Sequence, residues 1–311
     1  MKPNPLARIN FLTRQIGQHA APVLSAYALG VMIFRLHRSP EVEPRPASLE
    51  VQALGRQQYK EMESQLLSVG VLERIPHLRG KAYSIFGRSK APAAEFICGV
   101  DPFCYISHLS AMEFHGLTDR LPHTLFVSSP STSEWRKLAK EQMQKELVEY
   151  YPAYIAARFP HLVSFRMEKF GKTPIEYINS SHLGAFKNIH DRSLRVSTIG
   201  RTFLDMLRRP DLCGGMQHVI DVYKDTARKY LRLIQDEIDA HGTGIEKVRA
   251  GYILSEFCGA RSDARIQAWK EQFAQRGGSR KLDPTGEFSP TFSEDWSLSL
   301  NVPSLETYEP S

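Results

Sequence analysis

The sequence predicts an α+β protein with three parts: a winged helix-turn-helix head over residues 1–90, an α+β body over 95–275 and a flexible acidic tail over 276–311. Three observations carry this reading. Helical-period segments at 4–18, 22–36 and 49–69 are followed by a short hairpin, which is the order of a winged helix. Strand-like and helix-like segments then alternate to about residue 275. The formal net charge of +6 over 311 residues is concentrated at one end, since the first 90 residues hold 13 Lys/Arg against 6 Asp/Glu.

In the head, Leu6, Ile9, Leu12 and Ile16 recur at helical spacing. Pro22–Leu36 is apolar nearly all round and reads as a central helix. Ser39–Ala47 carries three prolines and reads as a loop. Leu49–Val69 reads as a third helix, with Leu54, Met62, Leu66, Leu67 and Val69 apolar and Arg56, Gln57, Lys60, Glu61 and Ser64 mainly opposite. Val71–Ile75 and Lys81–Phe86 form the hairpin strands around a Pro- and Gly-containing turn. Gly87–Glu95 reads as a linker.

In the body, Phe96–Val100 looks strand-like and Asp101–His115 helical. Thr124–Ser128, Leu162–Glu168 and Arg195–Ser197 are strand candidates. Thr132–Tyr150 is a long charged helix with Ser131 or Thr132 as its cap. Gly200–Arg209 is a helix with Ile199, Phe203, Leu204 and Leu207 on one buried face. Arg201 and Asp205, four apart, pair on the other side. Ser197 or Thr198 caps it, Pro210 stops it, and Gly214–Gly215 leads into a helical Met216–Ala240 and then Gly244–Cys258. Beyond about residue 276 periodicity fades and Gly, Ser, Pro and acidic residues dominate, so the tail reads as loose.

A basic head on a near-neutral body points to nucleic acid. Arg56, Gln57 and Lys60 on the third helix are candidates to face a major groove, where Arg and Gln match guanine and adenine edges. Arg79 and Lys81 in the wing, helped by Arg74, are candidates to neutralise phosphates.

Two blocks carry a family resemblance. The first is Ser197–Gly215, with Thr198, Arg201, Thr202, Leu204, Asp205, Pro210, Leu212, Gly214 and Gly215. The second lies within Asp101–Pro130, with Tyr105, Ser107, Ala111, His115, Gly116, Leu117 and Thr118. Together they resemble the AbiEi family, the antitoxin and regulator components of bacterial type IV toxin–antitoxin operons, over roughly residues 95–260. One departure is Gly200, where the family often has Glu. The resemblance implies an N-terminal DNA-binding domain that represses its own operon, with operator DNA in inverted repeat and two copies bound. It also implies an antitoxin domain that counteracts a nucleotidyltransferase-like toxin without a stable complex. Tyr105, Ser107, His115, Arg201, Thr202 and Asp205 are then the motif residues of that domain.

Other chemistry is thinly represented. Phe170–Pro174 contains Gly-Lys-Thr, but Arg166 stands where a phosphate loop needs glycine. Cys98, Cys104, His108 and His115 match no common zinc spacing, so neither metal nor cofactor is expected. No G-x-S-x-G elbow accompanies Ser107, Ser110 and His115. His115 reads instead as a helix C-terminal residue beside Gly116, where the helix dipole favours a charged imidazole. An enzyme acting on a phosphate-bearing or protein target, and a ligand-sensing transcription factor, remain as alternative functions. The apolar run Ala20–Phe34 has 15 residues, short of the roughly 20 a membrane span needs. Four dispersed cysteines and no signal peptide fit a bacterial cytoplasm.

Overall fold

The protein is described from a computed structural model, over residues 5–38, 55–76, 78, 80–88, 90–180, 184–275 and 280–306. In chain order the elements begin with α1 (Pro5–Gly17), β1 (Val23–Ser25), α2 (Ala26–Leu36), α3 (Arg56–Ser68), β2 (Leu72–Arg74), β3 (Ala82–Ile85) and α4 (Ala93–Val100). Next come β4 (Tyr105–Ile106), α5 (His108–Phe114), β5 (Leu125–Ser129), α6 (Thr132–Leu147) and α7 (Tyr151–Ala156). Then follow β6 (Lys169–Phe170), β7 (Thr173–Asn179), β8 (Phe186–Asn188), β9 (Arg195–Ser197), α8 (Ile199–Arg208), α9 (Met216–His241), α10 (Gly244–Phe257) and α11 (Ala264–Trp269). The last are β10 (Phe292–Ser293), β11 (Leu298–Ser299) and α12 (Pro303–Glu306). The architecture is α+β.

The chain packs as two compact units, and each is threaded by more than one segment. The first is Met1–Cys104 with Ser129–Met167 and Asn188–Leu194, and the second is Tyr105–Ser128 with Glu168–Lys187 and Arg195–Ser311. This division is not the linear one at 90–95, because α6 and α7 pack on head elements. The Tyr27 hydroxyl donates to Glu146 Oε2 at 2.9 Å, and Arg35 Nη2 donates to the Glu146 carbonyl at 3.0 Å.

In the first unit, β3 lies between β1 and β2, antiparallel to both. The expected helix from Pro22 begins only at Ala26. Val23–Ser25 instead pairs with Ala82–Ser84, and Ser25 Oγ caps α2 by accepting from Ala28 N at 3.1 Å. Arg56–Ser68 forms the third helix, and residues 49–54 lie outside the described residues. Phe96–Val100 is helical rather than a strand, and Gly99 permits close approach to β1: a Cβ there would sit 2.8 Å from Val23 Cγ1. The expected linker is tied down, as Arg88 donates to the carbonyls of Gly17, at the end of α1, and of His19 and Ala21, in the connection to β1.

In the second unit a six-stranded sheet runs β6-β7-β5-β4-β9-β8. β4 pairs antiparallel with β5 and parallel with β9, in register Ile106↔Val196. No strand forms at 162–168; it lies instead at Thr173–Asn179, with Pro174 near the start of the strand, where a missing N–H disturbs the ladder least.

The helix α8 is capped by Thr198 Oγ1, which accepts from Arg201 N at 3.2 Å. The expectation of one buried face is corrected: every residue from Gly200 to Leu207 is buried, with α5, α9 and α10 all packed on α8. Pro210 ends the helix in a single tight turn, and Gly214 and Gly215 take positive φ before α9.

The loose-tail expectation is also corrected. Leu282, Trp296, Leu298, Leu300, Val302 and Leu305 join the core with Phe203, Tyr223, Ile253 and Trp269. The Trp296 indole occupies the space a side chain at Gly251 would fill. Residues 276–279 and 307–311 lie outside the described residues.

Candidate functional site

Two places collect the expected functional residues, one in each unit. In the first unit α3 starts at Arg56, with the Gly55 amide held by Gln58 Oε1 at 2.9 Å. Tyr59, Met62, Glu63 and Leu66 turn inward, which leaves Arg56, Gln57 and Lys60 exposed. Glu63 is 2% exposed and anchors a polar cluster: the Tyr83 hydroxyl and Lys60 Nζ each approach it at 2.5 Å, and Arg74 lies 3.9 Å away. Burial pushes the Tyr59 and Tyr83 phenols up, so both stay protonated and able to donate.

Beside this cluster runs a groove of about 360 Å³. Arg56 and Lys60 from α3 and Lys81 from the start of β3 line it, together with Arg158 and His161. Among the described residues no carboxylate lines it. Arg56, Lys81 and Arg158 have no ion-pair partner among the described residues, whereas Lys60 is partly neutralised by Glu63. Gln57 stands outside the groove and donates to Glu61 Oε1 at 3.0 Å. Arg74 sits on β2, outside the groove and exposed. Arg79 lies outside the described residues. Neither periodicity nor spacing pointed to Arg158 or His161, which reach α3 only through tertiary packing.

In the second unit the two motif blocks come together along β4 and β9. Ser107 precedes α5, but its hydroxyl does not cap the helix. It accepts from Ser128 Oγ at 2.8 Å and lies 2.8 Å from His108 Nδ1. His108 has φ +52°, unusual for a residue with a side chain. Burial pulls its imidazole below the ordinary value, Asp205 and Asp211 raising it and Arg209 and Arg201 lowering it. The Tyr105 hydroxyl is 3.1 Å from Ser180 Oγ, and its ring stacks on Phe186. Arg201 Nη2 reaches the same Ser180 oxygen at 3.4 Å, while its Nε donates to Asp205 Oδ1 at 2.8 Å.

Thr202 Oγ1 donates to the Thr198 carbonyl and lies 2.8 Å from Ser197 Oγ. His115 ends α5, as expected, and its Nε2–H donates to the Ser197 carbonyl at 2.7 Å. This joins the end of the second block to the start of the first. The expectation that the helix end favours His115 in its charged form is corrected: burial, with Lys187 nearby, pulls its pKa down. Arg201 and Asp205 pair as expected but in the interior, at 4% and 3% exposure, and Arg201 Nη1 and Asp205 Oδ2 have no hydrogen-bond partner among the described residues. Ser128 and Ser180 were not legible as members of this centre, since each is a single serine on or beside a strand, brought to Ser107 and Tyr105 by tertiary packing rather than by spacing.

Among the described residues no group of three or more His, Cys, Asp or Glu is arranged to hold a metal, and all four cysteines are buried and form no disulfide. Gly171 and Lys172 form the turn of the β6–β7 hairpin, the role expected of Lys172. No helix among the described residues is long and apolar enough to cross a membrane.

No family model matches the chain, and no curated protein is similar to it. Among solved structures it is similar to the RV2827C protein from Mycobacterium tuberculosis, with a TM-score of 0.45 and 11% identity over 94% of this chain and 90% of that one.

Proposed function

We propose that this chain is a DNA-binding regulator of the type IV antitoxin kind, acting in the bacterial cytoplasm. Its first unit holds operator DNA with a winged helix-turn-helix, and its second counteracts a nucleotidyltransferase-like toxin. The observation that carries the DNA reading is the groove beside α3, where Arg56, Lys81 and Arg158 stand without counter-charges among the described residues. Unopposed cations on one face attract a phosphate backbone and release its counterions. The element order helix, strand, helix, helix, strand, strand, with β3 between β1 and β2, supports the winged-helix assignment. The antitoxin assignment rests on the resemblance of the two blocks, and the meeting of Tyr105, Ser107, His115, Arg201, Thr202 and Asp205 in one unit supports treating them as one functional body. The enzyme alternative draws little from the same centre, because Ser107 and His108 are 0% and 3% exposed and offer no open nucleophile.

The test is a binding titration of the full chain against duplex DNA from upstream of its own operon, at two salt concentrations, with an unrelated duplex as control. Preferential binding to the operon duplex supports the reading, and an absence of binding at low salt removes it. Co-expression with the adjacent toxin gene tests the second half, by restored growth without co-purification.

A further inference from the structure

We infer that the segment following α7, with Arg158 and His161, is the second bank of the DNA-binding groove, so that the phosphate-contacting surface extends well beyond the helices and hairpin of the head. This rests on the DNA reading above and deepens it. Three observations carry it.

The segment is built into the same core as α3. Phe159 is 2% exposed, and its ring meets Tyr59 at 6.0 Å, Phe34 at 5.6 Å and Tyr154 at 5.4 Å. Tyr59 lies on α3 between Arg56 and Lys60, and Phe159 lies between Arg158 and Pro160. Their contact therefore sets the cations of one bank against those of the other. The Tyr154 hydroxyl donates to the Pro160 carbonyl at 2.7 Å and fastens the segment from the helix side.

The fit of this segment dictates a residue elsewhere. Gly30 stands in the middle of α2, where glycine weakens a helix relative to alanine. A Cβ at that position would lie 2.5 Å from the Tyr154 hydroxyl and 3.1 Å from Pro160 Cδ. α2 thus gives up helical propensity to admit the segment.

Arg158 itself is placed against local preference. Its φ is +54°, at the end of α7, where glycine or asparagine is the usual occupant. It is exposed, lines the groove and pairs with no carboxylate among the described residues. Packing does not account for a long cation in a left-handed position. A phosphodiester in the groove does, with Arg158 facing Arg56 and Lys81 across it and His161 supplying a ring N–H.

Fluorescence anisotropy of the full chain on labelled operon duplex, across a series of salt concentrations, tests this with R158Q, R158G, R158K and R56A. R158G removes the side chain and also suits the positive φ, so loss of fold does not enter. The expected result is that R158Q and R158G weaken binding about tenfold and lower the salt slope by about one, on operon and unrelated duplex alike. R158K restores most of both. Wild-type slope and affinity in R158Q and R158G, alongside a loss in R56A, overturn the second bank and leave the DNA reading standing. No binding by the wild-type chain at low salt overturns both.

Discussion

Arg201 Nε donates to Asp205 Oδ1 across 2.8 Å with both residues almost wholly withdrawn from solvent. A buried pair gains little over apolar neighbours, but breaking it strands a charge. Asp205→Ala is expected to destabilise the protein by about 3–5 kcal/mol, because Arg201 is left buried without its paired carboxylate. The double change Arg201→Met with Asp205→Leu recovers most of that loss. Urea unfolding followed by tryptophan fluorescence measures both; equal stability of the single and double variants would count against a buried pair.

Gly200 gives a sharper expectation. A Cβ there would collide with the Leu233 carbonyl oxygen and lie 2.9 Å from Glu237 Cβ, on the facing helix α9. Gly200→Ala should lower stability by about 1–3 kcal/mol or more. Gly200→Glu, the residue the resembling family often carries, should give little soluble protein. Thermal melting and soluble yield check these, and a Glu variant as stable as the parent would mean that α8 and α9 do not cross this closely.

Trp296 should behave as core. Trp296→Ala is expected to lose about 3–5 kcal/mol, and a chain ending at residue 275 should lose cooperative unfolding of the second unit. Trp296→Phe should lose less. A truncated chain with an unchanged melting profile would restore the view of the tail as loose.

Acid should weaken the fold through its buried histidines. Burial lowers the pKa values of His108 and His115 from the ordinary 6.5. The unfolded chain therefore binds protons at a higher pH than the folded one, and stability falls as pH drops below about 6.5. Above pH 7 this contribution is flat. The melting temperature should fall between pH 7.5 and 5.5, and His108→Asn, which tolerates the positive φ, should remove part of that slope. A melting temperature that rises toward pH 5.5 would contradict the burial of these rings as neutral groups.

On the DNA side, Arg56→Ala combined with Lys81→Ala should lower the salt slope by about two, whereas Gln57→Ala should leave it unchanged and alter only preference between sequences. Gel-shift titrations on operon and unrelated duplexes separate the two effects.

The long periodic elements were legible in the sequence. α8 with its Thr198 cap, α9, α10 and the charged α6 appear within a few residues of their expected bounds, because amphipathic spacing and cap chemistry are local. What escaped was set by tertiary packing. Val23–Ser25 looked like the start of a helix until β3 claimed it as a strand. Phe96–Val100 looked like a strand until the preceding Pro92 and the contact of Gly99 with β1 made it a helix. Trp296 sat in a composition that suggests looseness, and a single indole outweighed it. In the candidate sites the pairing of Arg201 with Asp205 was visible from their spacing, but its burial was not. Arg158 was invisible because its neighbour Phe159 reaches Tyr59 across about 100 residues of chain.

The threading of the two units has a consequence on the ribosome. Leu194 is the last residue of the first unit, while the second still needs residues as late as Leu305 for its core. Synthesising those roughly 110 residues takes about 5–20 s at about 5–20 residues per second. Through most of that interval β4, α5, β9 and α8 have already been made, yet the segment carrying Trp296, Leu298, Leu300, Val302 and Leu305 has not. Met112, Phe203 and Tyr223, each 0% exposed in the finished protein, belong to the core that this last segment completes. The first unit can therefore close early, while the growing polypeptide presents the apolar surface of an unfinished second core to chaperones until the segment around Leu305 is made.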